Sequence, residues 1–330
     1  MVERSESGTA EFDPHAFTEA IETLLLGGPR TLTPLDLAER AQLDRETGRL
    51  LWQSMGFATV ADDELALTES DLEAAQRVRR AIDLGIASFD DVISLSRLTG
   101  QIFAQLADGE GEAFLAMATK HADATGVAAT FEQLATEIVP FIEELHTYVW
   151  RRQLSAFLAR KAAQFGATAG TQPDATVGFA DISGFTALSR DAATSDLATL
   201  LEQFESVATN AVGAHNGRVV KLIGDAVLYT ADAPTDGVRI AVDMLAAWPA
   251  TQPPIRAGVA TGPILRRLGD VFGPTVNIAS RLTSLSRPGK VRSDETTCAA
   301  IASDGFRTHE QQPQDVRGYD RLRSWLVTTT

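Results

Sequence analysis

The stretch "VGFADISGFTALS", Val177 to Ser189, runs a short apolar strand straight into an aspartate and then a Ser-Gly-Phe-Thr turn. A strand that ends in a carboxylate and passes through small residues into a helix holds a charged oxygen at a sheet's end, beside free backbone N–H groups. Such a place suits a metal ion and phosphates. The plain alternative is that Asp181 only caps the helix beginning near Thr186. Outward from this stretch, strand-like and helix-like segments alternate: "TVGFAD" as a strand, "LATLLEQFESVATNAVGAHNG" as a helix, and "RVVKLIGDAVLYTA" as a hairpin. There follow "GVRIAVDMLAAW" as a helix, "IRAGVATGPILRRLG" as a second hairpin, "TVNIASRLTSLS" as a helix and "RLRSWLVT" as an edge strand. The pattern predicts an α+β domain over 177–330.

In the first hairpin, Gly224-Asp225 forms the turn between two alternating apolar arms. If its strands neighbour the one ending at Asp181, both carboxylates lie at one end of the sheet and suit two divalent cations, as phosphoryl transfer requires. Asp225 taken alone reads equally well as an ordinary hairpin tip. Lys221 falls in the apolar arm, where a lysine is costly unless its ammonium reaches a partner or solvent. A third stretch, "GDVFGPTVNIASRLT", places Asn277 and Arg281 four apart on one helix face, after Asp270 and Gly273.

Composition narrows the classes. The chain has 330 residues, 44% hydrophobic and 22% charged, enough for about two domains with full cores. A single cysteine, Cys298, excludes an internal disulfide and a cysteine-based zinc cluster, and the five histidines show no ligand spacing. A formal net charge of −15 disfavours nucleic acid and anionic membranes as partners. No apolar run is long enough for a membrane span or a signal peptide, so a cytoplasmic protein is expected.

With "FADISGF", "KLIGDAV" and "GDVFGPTVNIASRLT" in this order, the chain from Val177 to about Val327 resembles the class III nucleotide cyclases. The resemblance implies a ferredoxin-like catalytic domain that dimerises head to tail and turns ATP into cyclic AMP and pyrophosphate. It implies that Asp181, Asp225 and the carbonyl of Ile182 hold two Mg²⁺ or Mn²⁺ ions. Gly184, Phe185 and Thr186, with Ser183, would offer N–H groups to the phosphates, and Arg256 would contact the triphosphate. Lys221 and Asp270 match the purine-reading pair. Lys donates and Asp accepts, which suits adenine N1 and its 6-amino group, whereas guanine presents the reverse. Asn277 would orient the ribose and Arg281 would stabilise charge on the α-phosphate. The metal aspartates would come from one subunit and Lys221, Asp270, Asn277 and Arg281 from the other, in a homodimer with two equivalent sites. Tyr319 stands where many members have lysine, and either Arg317 or Arg321 is the candidate substitute.

Before Val177 the spacing is helical, predicting an all-α domain over 1–144. A linker helix rich in Arg and Lys follows from Leu145, broken by "GATAGTQPDAT", so that 145–176 connect the two domains. The N-terminal part resembles the helical regulatory domain of soluble actinobacterial adenylate cyclases that respond to protons or fatty acids. Within it, "TLTPLDLAERAQLDRETGRLLWQSMGF" reads as a helix-turn-helix, and its mixture of Arg40, Arg45 and Arg49 with four acids leaves no basic face. The alternative to an enzyme is a catalytically silent cyclase-like nucleotide sensor or a helix-turn-helix transcriptional regulator.

Overall fold

A computed structural model describes residues 14–121, 127–165 and 174–329, and the chain divides into two compact units, Met1–Ala167 and Thr168–Thr330. The N-terminal 13 residues and most of the predicted interdomain break, 166–173, lie outside the described residues.

The first unit is helical: α1 Pro14–Leu26, α2 Pro34–Arg40, α3 Arg45–Ser54, α4 Glu69–Asp83, α5 Phe89–His121 and α6 Val127–Phe165. Side chains written into the sequence start these helices. Thr33 and Asp36 form a capping box on α2, Thr68 and Asp71 another on α4, and Asp44 caps α3. A bridge between Leu32 and Leu67 closes the segment around α2 and α3, over a small core of Leu32, Ala41, Leu43, Leu67 and Leu72. Of the arginines in the helix-turn-helix, Arg40 forks onto Glu69 at 2.8 Å through both nitrogens, and Arg45 pairs with Asp62. The helix expected to start at Leu145 is the C-terminal part of α6, which continues through Pro140.

The second unit is built on a seven-stranded sheet in the order β2-β3-β1-β4-β7-β9-β8. Its first half reads β1 Asp174–Ile182, α7 Phe185–Asp191, α8 Thr194–Ala214, β2 Arg218–Ile223, β3 Ala226–Ala231, α9 Pro234–Ala247 and β4 Ile255–Pro263. A strand-helix-strand-strand-helix-strand run with β1 between β3 and β4, all antiparallel, is the ferredoxin-like arrangement. The remainder is β5 Leu265–Arg267, β6 Asp270–Phe272, α10 Pro274–Leu285, β7 Val291–Ser293, α11 Glu295–Ala300, β8 Phe306–Val316 and β9 Tyr319–Thr329.

Strand alternation assigns the faces. Ala180 and Ile182 point to the side where Phe204 and Ala208 of α8 and Ile240 and Met244 of α9 pack. Val177 and Phe179 point to the other, onto Ala279 and Leu282 of α10. Asp181 shares parity with Val177 and Phe179, so it lies on the α10 face. Helix α10 sits close to β4 because position 258 is glycine. A Cβ there would come within 2.2 Å of the Thr283 nitrogen and 2.6 Å of the Ala279 oxygen.

Two expectations are corrected. The second predicted hairpin, within 255–269, does not form: β4 stays in the main sheet, while β5 pairs with β6 through Leu268-Gly269, both at positive φ. That is the geometry of a tight two-residue turn, and it lies one strand later than the reading placed it. Strand β9 is not an edge, because β8 covers it. The β8 segment "FRTHEQQPQDV" is polar and contains a proline, tolerable on an outer strand but poor as a strand signal.

Candidate active site

Asp181 occupies the last turn of the pleat in β1, with Asp225 in the tip of the β2–β3 hairpin beside it. Asp181 stands opposite Ala226, and the Ile182 N–H donates to the Asp225 carbonyl at 3.0 Å. Gly224, at φ 59°, makes the tip tight enough for this. Burial, and then the charge of Asp181, push the Asp225 carboxyl above its ordinary value, with Arg256 partly offsetting them. Arg256 stands directly opposite Asp181 on β4. Its Nε and Nη2 donate to the two oxygens of Asp181 at 2.7 and 3.2 Å, and its Nη1 donates to the Ser284 carbonyl at 3.1 Å. This corner therefore holds two carboxylates and one guanidinium.

The donor chemistry fits hard divalent cations. Two carboxylates and the adjoining Ile182 backbone carbonyl are all oxygen ligands, and the neighbouring Ser183 Oγ is buried without a hydrogen-bond partner. Among the described residues no three His, Cys, Asp or Glu side chains gather to hold a metal on their own. Further oxygens would have to come from backbone or substrate, as is usual where cations accompany phosphates. In the turn, the Ser183 N–H is already given to the Pro254 carbonyl. Gly184, at φ 81°, is the N-cap of α7, leaving the N–H groups of Gly184, Phe185 and Thr186 without an intrahelical acceptor.

Lys221 and Asp270 meet within the chain: the ammonium reaches Asp270 Oδ2 at 2.6 Å. Lys221 lies on the outermost strand β2, which explains how an apolar-looking arm tolerates it. Burial alone would raise Asp270, but hydrogen bonds from Lys221 and from the Val271 N–H outweigh it and hold the carboxyl low. Asn277 and Arg281 share a face of α10, which begins with Gly273-Pro274, a proline suited to the first helical position. Arg281 Nε donates to the Arg317 carbonyl at 3.3 Å. Among the described residues, no hydrogen bond or ion pair joins Asn277, Arg281, Lys221 or Asp270 to Asp181 or Asp225. A single chain thus presents two clusters, the acidic corner and the Lys-Asp pair, with α10 beside them.

The model of the adenylate and guanylate cyclase catalytic domain matches residues 168–329. An adenylate cyclase of Glutamicibacter nicotianae is 33% identical over 328 residues, 94% of this chain and 81% of the relative. The chain belongs to the class III adenylate cyclase family. An adenylate cyclase of Streptomyces coelicolor is 36% identical over 88% of this chain and 76% of its own. Among solved structures, the catalytic core of a rhodopsin-guanylyl cyclase with converted specificity, in complex with ATPαS, is 28% identical with a TM-score of 0.44. It covers 48% of this chain and 96% of that one.

Within this cyclase, sequence reasoning missed the anchors that are backbone groups. The Pro254, Ser284 and Arg317 carbonyls fix the Ser183 turn, Arg256 and Arg281, and a carbonyl leaves no mark in a residue's identity. The two arginines near the C-terminus are also distinguished. Arg317 uses its carbonyl to hold Arg281, while Arg321 sits at φ 51° with its N–H on Asp315 Oδ1 at 2.7 Å. The Tyr319 hydroxyl donates to the Pro274 carbonyl at 3.3 Å, against the start of α10. No helix among the described residues is long and apolar enough to cross a membrane.

Proposed function

We propose that this cyclase converts ATP to 3′,5′-cyclic AMP and pyrophosphate, at two equivalent sites shared across a homodimer. The observation that carries ATP over GTP is the Lys221–Asp270 pair. Its donor suits adenine N1 and its acceptor suits the 6-amino group, the reverse of the pattern guanine presents at these positions. Asp181, Asp225 and the Ile182 carbonyl would hold two Mg²⁺ or Mn²⁺ ions, whose charge, when bound, favours ionisation of the ribose 3′-hydroxyl and neutralises the triphosphate. The N–H groups of Gly184, Phe185 and Thr186, with Arg256, bind the phosphates. Asn277 orients the ribose so that the 3′-oxygen faces the α-phosphorus in line. Arg281 stabilises the charge that builds on the α-phosphate as the bond to pyrophosphate breaks. Asp181 and Asp225 serve one site, and Lys221, Asp270, Asn277 and Arg281 serve the other. That no hydrogen bond or ion pair joins the two clusters among the described residues supports this division.

Residues 1–144 form the regulatory domain in this reading, 145–176 the connection and 177–330 the catalytic domain of a cytoplasmic protein that needs no nucleic acid. A proton or a fatty acid is the proposed signal. In support, an open cavity of about 640 Å³ between α5 and α6 is lined by Leu95, Ile102, Phe103, Trp150, Glu143 and His146, and His146 Nε2 lies 2.7 Å from Glu110 Oε1.

The test is chromatographic. Full-length protein incubated with ATP or GTP and Mn²⁺ or Mg²⁺ should yield cyclic AMP from ATP and little cyclic GMP. No cyclic product under any of these conditions would overturn the reading.

A further inference from the structure

The corner at the end of β1 has one cation for two carboxylates. Asp181 and Asp225 carry a charge of −2 when ionised and Arg256 carries +1, leaving −1. The guanidinium is committed to Asp181 through two donors and to the α10 backbone through the third. Both side chains are partly buried, Arg256 at 29% and Asp181 at 22% exposure, so the pair is neither fully solvated nor locked in the core. Asp225 forms no ion pair among the described residues, Arg256 being the one cation that acts on it and being bonded to Asp181 instead. A divalent ion would neutralise both carboxylates and leave the guanidinium with surplus charge, next to the place where the cyclase reading puts the triphosphate.

We infer that Arg256 is a resident placeholder: it holds Asp181 until a divalent cation takes the carboxylate, and then swings to the substrate's phosphates, so that cation binding and phosphate binding are coupled through one side chain. This inference rests on the proposed cyclase reading and adds the competition to it. The geometry supports a movable contact. Arg256 and Asp181 are direct cross-strand neighbours, so the long arginine must fold back to make its fork. Its third bond goes to a last-turn carbonyl of α10, which water can satisfy equally well. The competing account is a static staple joining β1, β4 and α10.

The probe is Mn²⁺ alone, without nucleotide, titrated into full-length protein and followed by the electron spin resonance of free Mn²⁺. Wild type should bind weakly and R256Q about tenfold more tightly, the gain expected if the pair is open about a tenth of the time. R256K decides between competition and plain field, because lysine keeps the charge but lacks the planar fork. The placeholder predicts R256K between wild type and R256Q. Wild-type Mn²⁺ affinity in R256K overturns it, even if R256Q binds more tightly, and R256K also decides the matter if R256Q fails to fold. D181N should lose Mn²⁺ binding in every background. Mn²⁺ binding that survives D181N, or is absent from all variants and wild type, overturns the cation-site reading itself and the placeholder with it.

Discussion

The N–H of Ile182 donates to the carbonyl of Asp225 at 3.0 Å, and this bond holds a hairpin tip against the end of the strand that carries Asp181. Asp225 is thereby held at this corner, where burial, and then the charge of Asp181, raise its carboxyl. D225N should abolish cyclic AMP formation yet stabilise the metal-free protein. Because the folded carboxyl is raised above its ordinary 3.8, its ionisation opposes folding at neutral pH and not below the unfolded value. The gain at pH 7 should be small, because the carboxyl is partly exposed to solvent, and it should vanish as the pH falls below the unfolded value. Denaturant unfolding in chelator at several pH values measures it, and a destabilised D225N at pH 7 would refute the argument.

If Lys221 and Asp270 read the base, their 2.6 Å contact makes base selection a property of the pair. K221E alone would set a glutamate against Asp270 and should weaken the region as well as ATP use. The double variant K221E with D270C removes that repulsion and offers guanine an acceptor. Its preference for ATP over GTP should fall by roughly 1–3 kcal/mol for each polar contact exchanged. Comparing kcat/KM for the two nucleotides tests this, and an unchanged ratio would mean that these residues do not read the base.

Gly258 sets the height of α10 above β4, and α10 carries Asn277 and Arg281. In G258A the new Cβ meets the Thr283 and Ala279 backbone, which cannot yield without moving the helix. Overpacking of this kind costs about 1–3 kcal/mol. Turnover should drop in G258A at temperatures where the variant is still fully folded, whereas wild-type kcat in a folded variant would show that the helix position is not critical.

A truncated chain beginning at Thr168 keeps all of β1, whose first residue, Asp174, pairs with Pro263. If the N-terminal unit restrains catalysis, this chain should show a raised rate or a flatter pH profile of cyclic AMP formation. The same rate and profile as the full chain would remove the regulatory role.

Much of the catalytic fold is legible because its central strands are short apolar runs, buried nearly throughout, set off by turn residues, and because α9 and α10 open with a proline. The first hairpin reads directly from Gly224-Asp225, and α10 from Gly273-Pro274. The rest was hidden for physical reasons. β8 is polar because it is an outer strand, so β9 was mistaken for the edge. The Leu268-Gly269 turn sits between three-residue strands too short to show periodicity. Pairing of Lys221 with Asp270 was foreseen only as a shared target, because 49 residues separate them and only the β2 and β6 placement brings them together. The bond from Arg256 to Asp181 was missed altogether: cross-strand register between β1 and β4 cannot be read from either segment alone.

The account's central claim is an ATP cyclase site completed by two chains, and complementation tests it most directly. D181A and N277A homodimers should each be nearly inactive, since each lacks one half of both sites. Coexpressed with different tags, they form heterodimers with one site carrying both lesions and one carrying neither. Random pairing puts about half of the chains in such dimers, so cyclic AMP formation should return to roughly a quarter of the wild-type rate per chain if the sites act independently. Heterodimers confirmed by both tags yet as inactive as the parents would contradict the shared site.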